Sequence, residues 1–375
     1  MRHSALILPF LLAACMEPQP APELPVRPST EFTLTTLADG LDQPWSVAPL
    51  PDGGALITEK PGRVLRLSPD GEMQEVTGGP EPYYVSSDQS QAGLFDVIPA
   101  DDFAESGTVF VSTAFGTSEA NGTALYRYRL DGTTLVDERE LFRAADLKDT
   151  NAHYGAKVVP LPDGTVLLST GDGFTYREAA QDPGSHLGKI VRVDVEDGSV
   201  PADNPDTDGS RPEVFSFGHR NVQGLAYDAE TDTIWEHEHG PRGGDEVNII
   251  RAGLNYGWPV ATTGRDYNGA RISPFDTLDV TEGYAYQWTP SVAPSGLAVY
   301  RGELFPEWEG DLLAGALAGR SLRHLDVEGG EIVGETVLLG DLDVRIRDVR
   351  VAPDGSVWVL TNQEGGGRLL RIAPG

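Results

Sequence analysis

Residues 156–173 read AKVVPLPDGTVLLSTGDG: an apolar run, a Pro-Asp-Gly turn, a second apolar run and a small polar ending. Proline presets φ, aspartate accepts from nearby backbone N–H groups and glycine takes positive φ, so the tripeptide reverses the chain between two strands. The unit recurs as WSVAPLPDGGALITEKPGRVLRL (45–67) and DVRVAPDGSVWVLTNQ (348–363), each with a later strand carrying alternating arginines or lying near one. Weaker copies are DVIPADDFAESGTVFVSTAF (96–115), GLAYDAETDTIWEHEHG (224–240) and AVYRGELFPEWEGDLLAGAL (298–317). Six units over residues 31–375 give a spacing of roughly 58 residues, which suits four-stranded propeller blades with long loops. Helical periodicity is nearly absent. The expected architecture is all-β, a six-bladed β-propeller, with a two-sheet sandwich as the alternative that the repeat count disfavours. The early strand FTLTTLA (32–38) is expected to pair into the last blade and close the ring, removing exposed edges.

The formal net charge is −30. Such a surface repels nucleic-acid phosphates and anionic lipid, which excludes both as partners, while the acidic excess serves either divalent-cation binding or plain solubility. The only cysteine is Cys15, at the end of MRHSALILPFLLAAC (1–15). Its apolar run, about 15 Å as a helix, is half a bilayer core and has the layout of an export signal rather than a span. Leu12-Ala13-Ala14-Cys15 resembles the lipobox of bacterial lipoproteins, with Cys15 the lipidated residue; an ordinary signal peptide is the other reading. Met16-Glu17 lacks the Asp that favours inner-membrane retention, so the expected location is the periplasmic side of the outer membrane. Residues 16–30 (MEPQPAPELPVRPST) form a Pro-rich linker. The rest of the chain, 31–375, contains no cysteine, which excludes disulfides and thiolate–metal sites there.

Several chemistries lack their residues. No Gly-x-Ser-x-Gly elbow, Walker A loop or strand-linked GxGxxG occurs. His237-Glu238 begins like a zincin HExxH, but Pro241 stands where the second His belongs and Gly240-Pro241 breaks the helix. ADNPDTDGS (202–210) fails as an EF-hand loop because position 12, counted from Asn204, is Phe215. His237 and His239 share a strand face and so could form a two-His metal site.

Polar residues do sit at strand ends beside glycines, where propeller loops converge: His153, Asp172, Arg220-Asn221, and Arg345 with Arg347. The last two are separated by two residues and project to one face of a strand. Two guanidiniums there suit a polycarboxylate ligand, although spacing alone leaves a solvent-facing edge pair equally open. For His153 alone, a hydrogen-bonded loop histidine is the commoner case.

Taken together, LDQPWSVAPLPDG, QAGLFDV, AHYGAK, AQDPGSHLGKI, FGHRNVQGLAYD, HEHGPRGGDEVNIIRAGLNYGWP, PSVAPSGL and RIRDVRVAPDGSVWVLT resemble the soluble quinoprotein glucose/sorbosone dehydrogenase family, most closely its aldose sugar dehydrogenase branch. The resemblance runs from about residue 34 to 373. It implies a six-bladed propeller that oxidises aldose sugars at C1 to the lactone with pyrroloquinoline quinone (PQQ) and Ca²⁺, passing electrons to a separate acceptor, a quinone or small redox carrier.

By the same resemblance His153 is the general base and Arg220 stabilises charge on the cofactor. Gln91, Asn221, Tyr267, Arg345 and Arg347 bind PQQ, and Asp172 and Trp288 orient or stack on the sugar. Gly240 and Pro241 carbonyls ligate the calcium that touches PQQ, and Glu246 with Tyr256 matches a second, structural calcium site. His237 and His239 then carry no assigned chemistry.

Three departures stand out. Ala318-Gly319 replace a lysine that some members place against PQQ, leaving only Arg320 in that loop; GFTYREAAQD (173–182) differs from the glucose-specific enzymes; and Lys157 stands where Arg is frequent. Two other functions fit an anchored propeller. One is a non-catalytic scaffold that binds glycan or protein, the other a calcium-dependent lactonase, in which the arginine pair has no evident use.

Overall fold

The computed structural model describes residues 30–363 and 365–375. Among these residues the chain forms six four-stranded antiparallel sheets and one short helix, Phe103–Ser106, with three single 3₁₀ turns. The leader, the lipobox cysteine Cys15 and nearly all of the linker lie outside the described residues. No helix among the described residues is long and apolar enough to cross a membrane.

Each sheet is one blade, and the three strong sequence repeats explain how it starts. In all three, the residue before Pro-Asp-Gly closes a tight reversal. Gly53, Gly164 and Gly355 donate to Leu50, Leu161 and Ala352, and Asp52, Asp163 and Asp354 accept the backbone N–H two residues on. The glycines hold φ between 80° and 86°, which an L side chain rarely adopts. The turns join the first strand of a blade to its second, as in Pro44–Pro49 to Ala55–Glu59.

Second strands such as Ala55–Glu59, Thr165–Thr170, Leu312–Ala316 and Val357–Thr361 are buried at every position. Both faces pack against neighbouring blades, so these strands read as continuous apolar runs rather than alternating ones. The core is correspondingly divided into six inter-blade layers and a smaller cluster around Trp45, Phe95 and Tyr154. One joins Leu56 and Val64 to Val109 and Tyr128; another joins Leu313 and Leu322 to Val359 and Leu370.

The first strands form the inner ring: Pro44–Pro49, Leu94–Pro99, Val158–Pro160, Val222–Asp228, Pro294–Val299 and Ile346–Val351, each touching the next and the last touching the first. Closure is completed as expected from the early strand. Phe32–Leu41 pairs antiparallel with Gly367–Pro374 and becomes the outer strand of the last blade. N- and C-terminal segments thus share one sheet.

At the centre, charges from three blades and a hydroxyl from a fourth interlock. Asp96 accepts from Ser46 Oγ (2.6 Å) and Arg350 (2.8 Å), while Asp348 takes Lys157 Nζ (3.1 Å) and Arg350 Nε (3.2 Å). Lys157 Nζ also lies 4.4 Å from the Trp45 ring centroid. Replacing the frequent Arg with Lys157 therefore leaves an ion-paired cation in the hub of the ring.

Candidate active site

Antiparallel strands put the start of every first strand and the end of every second strand at the same end of the ring. Gln91, His153, Arg220-Asn221 and Arg345 precede first strands, whereas Lys60, Asp172 and Gly240 follow second strands. Chain topology alone thus brings residues that are far apart in sequence to one end of the ring, where Lys60, Gln91 and Arg345 line a cavity of about 640 Å³ and His153 and Arg220 adjoin its lining residues Tyr154 and His239.

Gly171 brings His153 to Asp172: a Cβ at Gly171 would lie 2.3 Å from the His153 carbonyl oxygen, so only glycine permits the approach. His153 itself has φ 52°, an uncommon conformation of the kind found at functional sites. Its Nδ1 lies 2.6 Å from Asp172 Oδ1. A carboxylate can only accept, so the proton sits on Nδ1 and Nε2 keeps the lone pair.

Burial and then the Arg220 charge push His153 below the ordinary histidine value, with Asp172 opposing them. Burial raises Asp172, but the bonds and charges of His153 and Arg220 outweigh it and hold the carboxyl below its usual range. The pair is therefore a neutral imidazole backed by a carboxylate, ready to accept a proton near neutral pH. Gln91 Oε1 accepts from the His153 backbone N–H (2.7 Å) and lines the cavity.

Asp172 is not exposed for a sugar contact. It is fully buried behind the base, accepting also from Trp258 Nε1 (2.8 Å) and the Phe174 backbone N–H (2.8 Å). Trp288 is likewise unavailable. Its ring packs between blades with Val247, Leu297 and Leu325, and its Nε1 donates to Glu335 (2.8 Å). Both corrections have one cause: a polar or aromatic residue at a strand end can face the neighbouring blade as readily as the channel.

Arg220 is fixed on three sides. Its backbone N–H donates to Glu238 (2.9 Å), Nη1 donates to the His239 carbonyl (2.8 Å), and the guanidinium lies 5.2 Å from the Trp258 ring centroid. Tyr267, 56% exposed, reaches within 3.5 Å of Nη2. Arg345 and Arg347 do converge, lining the cavity together with Lys60. Burial and then the Arg345 charge lower Arg347 to about 10.

Arg320, by contrast, is tied to Asp343 (3.2 Å) and does not line the cavity, so Lys60 is the third cation there. Three buried polar atoms at or beside this cavity have no partner among the described residues: Asn221 Nδ2, Arg347 Nε and Gln363 Oε1. Three cations, the Asp88 carboxylate and unpaired polar groups around one void suit an anionic ligand rich in hydrogen-bonding atoms.

A second, water-sized cavity of about 10 Å³ lies next to Arg220, lined by Glu238, Gly240, Gly244, Glu246, Trp258 and Thr262. Glu238 and Glu246 face each other across the blade, and burial followed by Glu238 repulsion raises Glu246 well above its usual value. Like charges paired in register are destabilising without a cation or proton between them.

Pro241 is buried next to Gly240 but does not line this void. Tyr256 is not a side-chain ligand here. Its hydroxyl donates to the Ile249 carbonyl (2.7 Å) and accepts from Arg251 N–H (2.8 Å), and its ring stacks on His219 at 4.8 Å. Gly240 is instead fastened by Asp245, which accepts its N–H (2.8 Å) and three donors from Ser291, Val292 and Ala293.

The two histidines of the WEHEHG segment separate. His237 is buried in strand Thr233–Glu238 with Nε2 3.3 Å from the Gly296 carbonyl, whereas His239 lines the large cavity and holds Arg220 through its backbone. They do not form a two-His metal site. Sequence reading missed Trp258, His239, Lys60 and Phe174. For Trp258 the available signal was its place in NYGWP; for Phe174 it was an aromatic residue directly after Gly-Asp-Gly.

The glucose/sorbosone dehydrogenase family matches residues 41–371, and the chain belongs to that family. It is 38% identical to the aldose sugar dehydrogenase YliI of Escherichia coli over 90% of this chain and 92% of that protein. The crystal structure of the soluble aldose sugar dehydrogenase from Escherichia coli in the apo-form has a TM-score of 0.86 at 35% identity, covering 92% of this chain and 100% of the other. The PQQ-bound form of aldose sugar dehydrogenase from Streptomyces coelicolor has a TM-score of 0.72 at 28% identity, covering 92% and 99%.

Proposed function

We propose that this member of the glucose/sorbosone dehydrogenase family oxidises aldose sugars at C1 to the lactone, using PQQ and Ca²⁺ and handing the electrons to a separate acceptor. The observation that carries the reading is a single cavity that combines three cations with an adjoining His–Asp pair. PQQ bears three carboxylates on a planar ring system, so Lys60, Arg345 and Arg347 match its charge, and the unpaired Asn221 Nδ2 and Arg347 Nε match its oxygens. Gln91 lines the same space, and Tyr267 stands beside Arg220. The relative with PQQ bound, together with the family match, supports the cofactor. Calcium is supported by the hard oxygen donors of Glu238, Glu246 and the Gly240 backbone around the small cavity, with Pro241 adjoining.

PQQ, when bound, would supply the acceptor for the two electrons and hydrogen leaving C1, which would become a carbonyl, while the hydroxyl proton would leave to His153. His153 Nε2 is the atom that takes that proton, and Asp172 holds the ring in the required tautomer and stabilises the imidazolium that forms. Trp258 Nε1–H and the Phe174 N–H keep Asp172 aimed, while His153 and Arg220 keep it anionic against its burial. Arg220 adds a fixed positive charge beside the base, which keeps the resting imidazole neutral and favours negative charge developing nearby.

The Cys15 lipobox supports a lipid anchor on the periplasmic side of the outer membrane, with the linker as tether. A Cys15→Ala variant appearing in the soluble periplasmic fraction would support the anchor, and one remaining with membranes would remove it. The catalytic reading is tested by adding PQQ and CaCl₂ to purified apoprotein and following dye reduction with aldoses. PQQ-free lactone hydrolysis, or sugar binding indifferent to PQQ, would instead identify the lactonase or the non-catalytic scaffold.

A further inference from the structure

With Asp172 and Trp288 buried, the face that a sugar would meet beside His153 has to be made by other residues. Among the described residues only three aromatic side chains are exposed, Phe174, Tyr267 and Phe275, and two of them stand at this site. Phe174 is 45% exposed, yet its ring is held edge-on to His153 with centroids 5.1 Å apart. The Tyr267 ring follows at 6.1 Å and ends at Arg220, its hydroxyl 3.5 Å from Nη2. The two rings therefore make a solvent-facing wall running from the base to the arginine.

The backbone shows that this placement is imposed. Phe174 has φ 70°, a left-handed conformation that is an outlier for a bulky residue. The Asp172 carboxylate that orients His153 also accepts the Phe174 N–H, so one group sets both the base and the ring. An exposed apolar ring in a strained conformation beside a general base is placed for a ligand rather than for packing.

We infer that Phe174 and Tyr267 form the sugar platform of the site, an aromatic wall that takes the C–H face of an aldopyranose and presents its C1 hydroxyl to His153. The inference rests on the proposed sugar oxidation. β-D-Glucopyranose carries axial C2–H and C4–H bonds on the face opposite its axial C1–H, so stacking that face on the rings leaves the C1 hydrogen free for transfer. Acyclic polyols lack a rigid face of this kind, so the platform selects pyranoses over sugar alcohols.

The experiment uses the full chain reconstituted with PQQ and Ca²⁺, comparing wild type with Phe174→Gly and Phe174→Trp. Glycine suits the φ of 70° and leaves the fold intact; tryptophan keeps a stacking face. Phe174→Gly is expected to raise KM for glucose tenfold or more with kcat within about threefold, while Phe174→Trp stays within about threefold of wild-type KM. Saturation-transfer NMR on the apoprotein, irradiating aromatic protons, is expected to label glucose H2 and H4 in wild type and lose that labelling in Phe174→Gly. PQQ titration by absorbance is expected to be the same in all three proteins. Unchanged KM and labelling in Phe174→Gly would overturn the inference, as would a loss of PQQ affinity in place of sugar affinity. Failure of the wild type to turn over any aldose with PQQ bound would instead count against the sugar-oxidation reading itself.

Discussion

Replacing Asp172 by Asn separates the charge of the carboxylate from its shape. Asp172 Oδ1 accepts two donors, His153 Nδ1–H and the Phe174 N–H, whereas Oδ2 accepts only Trp258 Nε1–H. The amide nitrogen therefore settles on the Trp258 side, where fewer bonds are lost. It then opposes a donor with a donor, leaving a buried N–H unsatisfied at a cost of about 1–3 kcal/mol in stability. The larger effect falls on catalysis. Asp172 is what raises His153 against the downward pull of burial and Arg220, so its neutralisation lowers the histidine further.

The sign is then determined: the neutral base persists to lower pH, and the acid limb of kcat/KM moves to lower pH than in wild type. The plateau falls because the imidazolium formed on proton transfer loses its counter-charge, by roughly 10²–10⁴-fold, the span of a general-base contribution. The assay is dye-linked aldose oxidation by the PQQ- and Ca²⁺-loaded protein from about pH 5 to pH 8, the range in which histidine titrates. An Asp172→Asn enzyme with a wild-type plateau, or with its acid limb moved upward, would refute the assignment of His153 as the base.

Three further outcomes are expected. Arg347→Met removes a charge-assisted contact worth about 1.5–3 kcal/mol, so the Kd for PQQ measured by absorbance titration rises roughly 10–100-fold without loss of thermal stability. Lys157→Met leaves Asp96 and Asp348 short of a buried cation and lowers stability by about 3–5 kcal/mol in urea unfolding, an effect on the hub rather than on the cavity. His237 is lowered by burial to about 4, so the stability it lends is complete above about 6.5 and is lost as pH falls toward 4. His237→Gln should flatten the stability-versus-pH curve in that window by about 3 kcal/mol, read as the difference in unfolding free energy between the window's two ends.

The fold was largely legible because its signals are local and repeated. Pro-Asp-Gly at 51–53, 162–164 and 353–355 makes the same hydrogen-bonded reversal in each case, and the continuous apolar runs behind it report burial on both faces. Even closure could be foreseen, since Phe32–Leu41 had no other sheet to complete. The site was legible in part. Gln91, His153, Arg220, Arg345 and Arg347 gather where strand topology predicts, because position at a strand end sets which end of the ring a residue occupies.

Strand position does not set which way a side chain turns. Asp172 and Trp288 both sit at the correct end, but one turns behind His153 and the other into the layer between blades. The Tyr256 hydroxyl likewise finds backbone partners at Ile249 and Arg251 five to seven residues away, a local bond invisible in spacing that leaves only its backbone for an ion. The cation expected from GALAGR comes from another blade, through Lys60, because cavity walls are assembled across blades and not along one loop.

We propose that the cavity holding Lys60, Arg345 and Arg347 is a PQQ site serving His153. Titrating the apoprotein with PQQ in the presence of Ca²⁺, with absorbance and aldose-dependent dye reduction followed in the same cuvette, tests it most directly. Saturable one-to-one binding is expected, with turnover appearing in proportion to the bound fraction and abolished in His153→Ala while binding persists. Binding without aldose turnover, or turnover indifferent to PQQ, would contradict it.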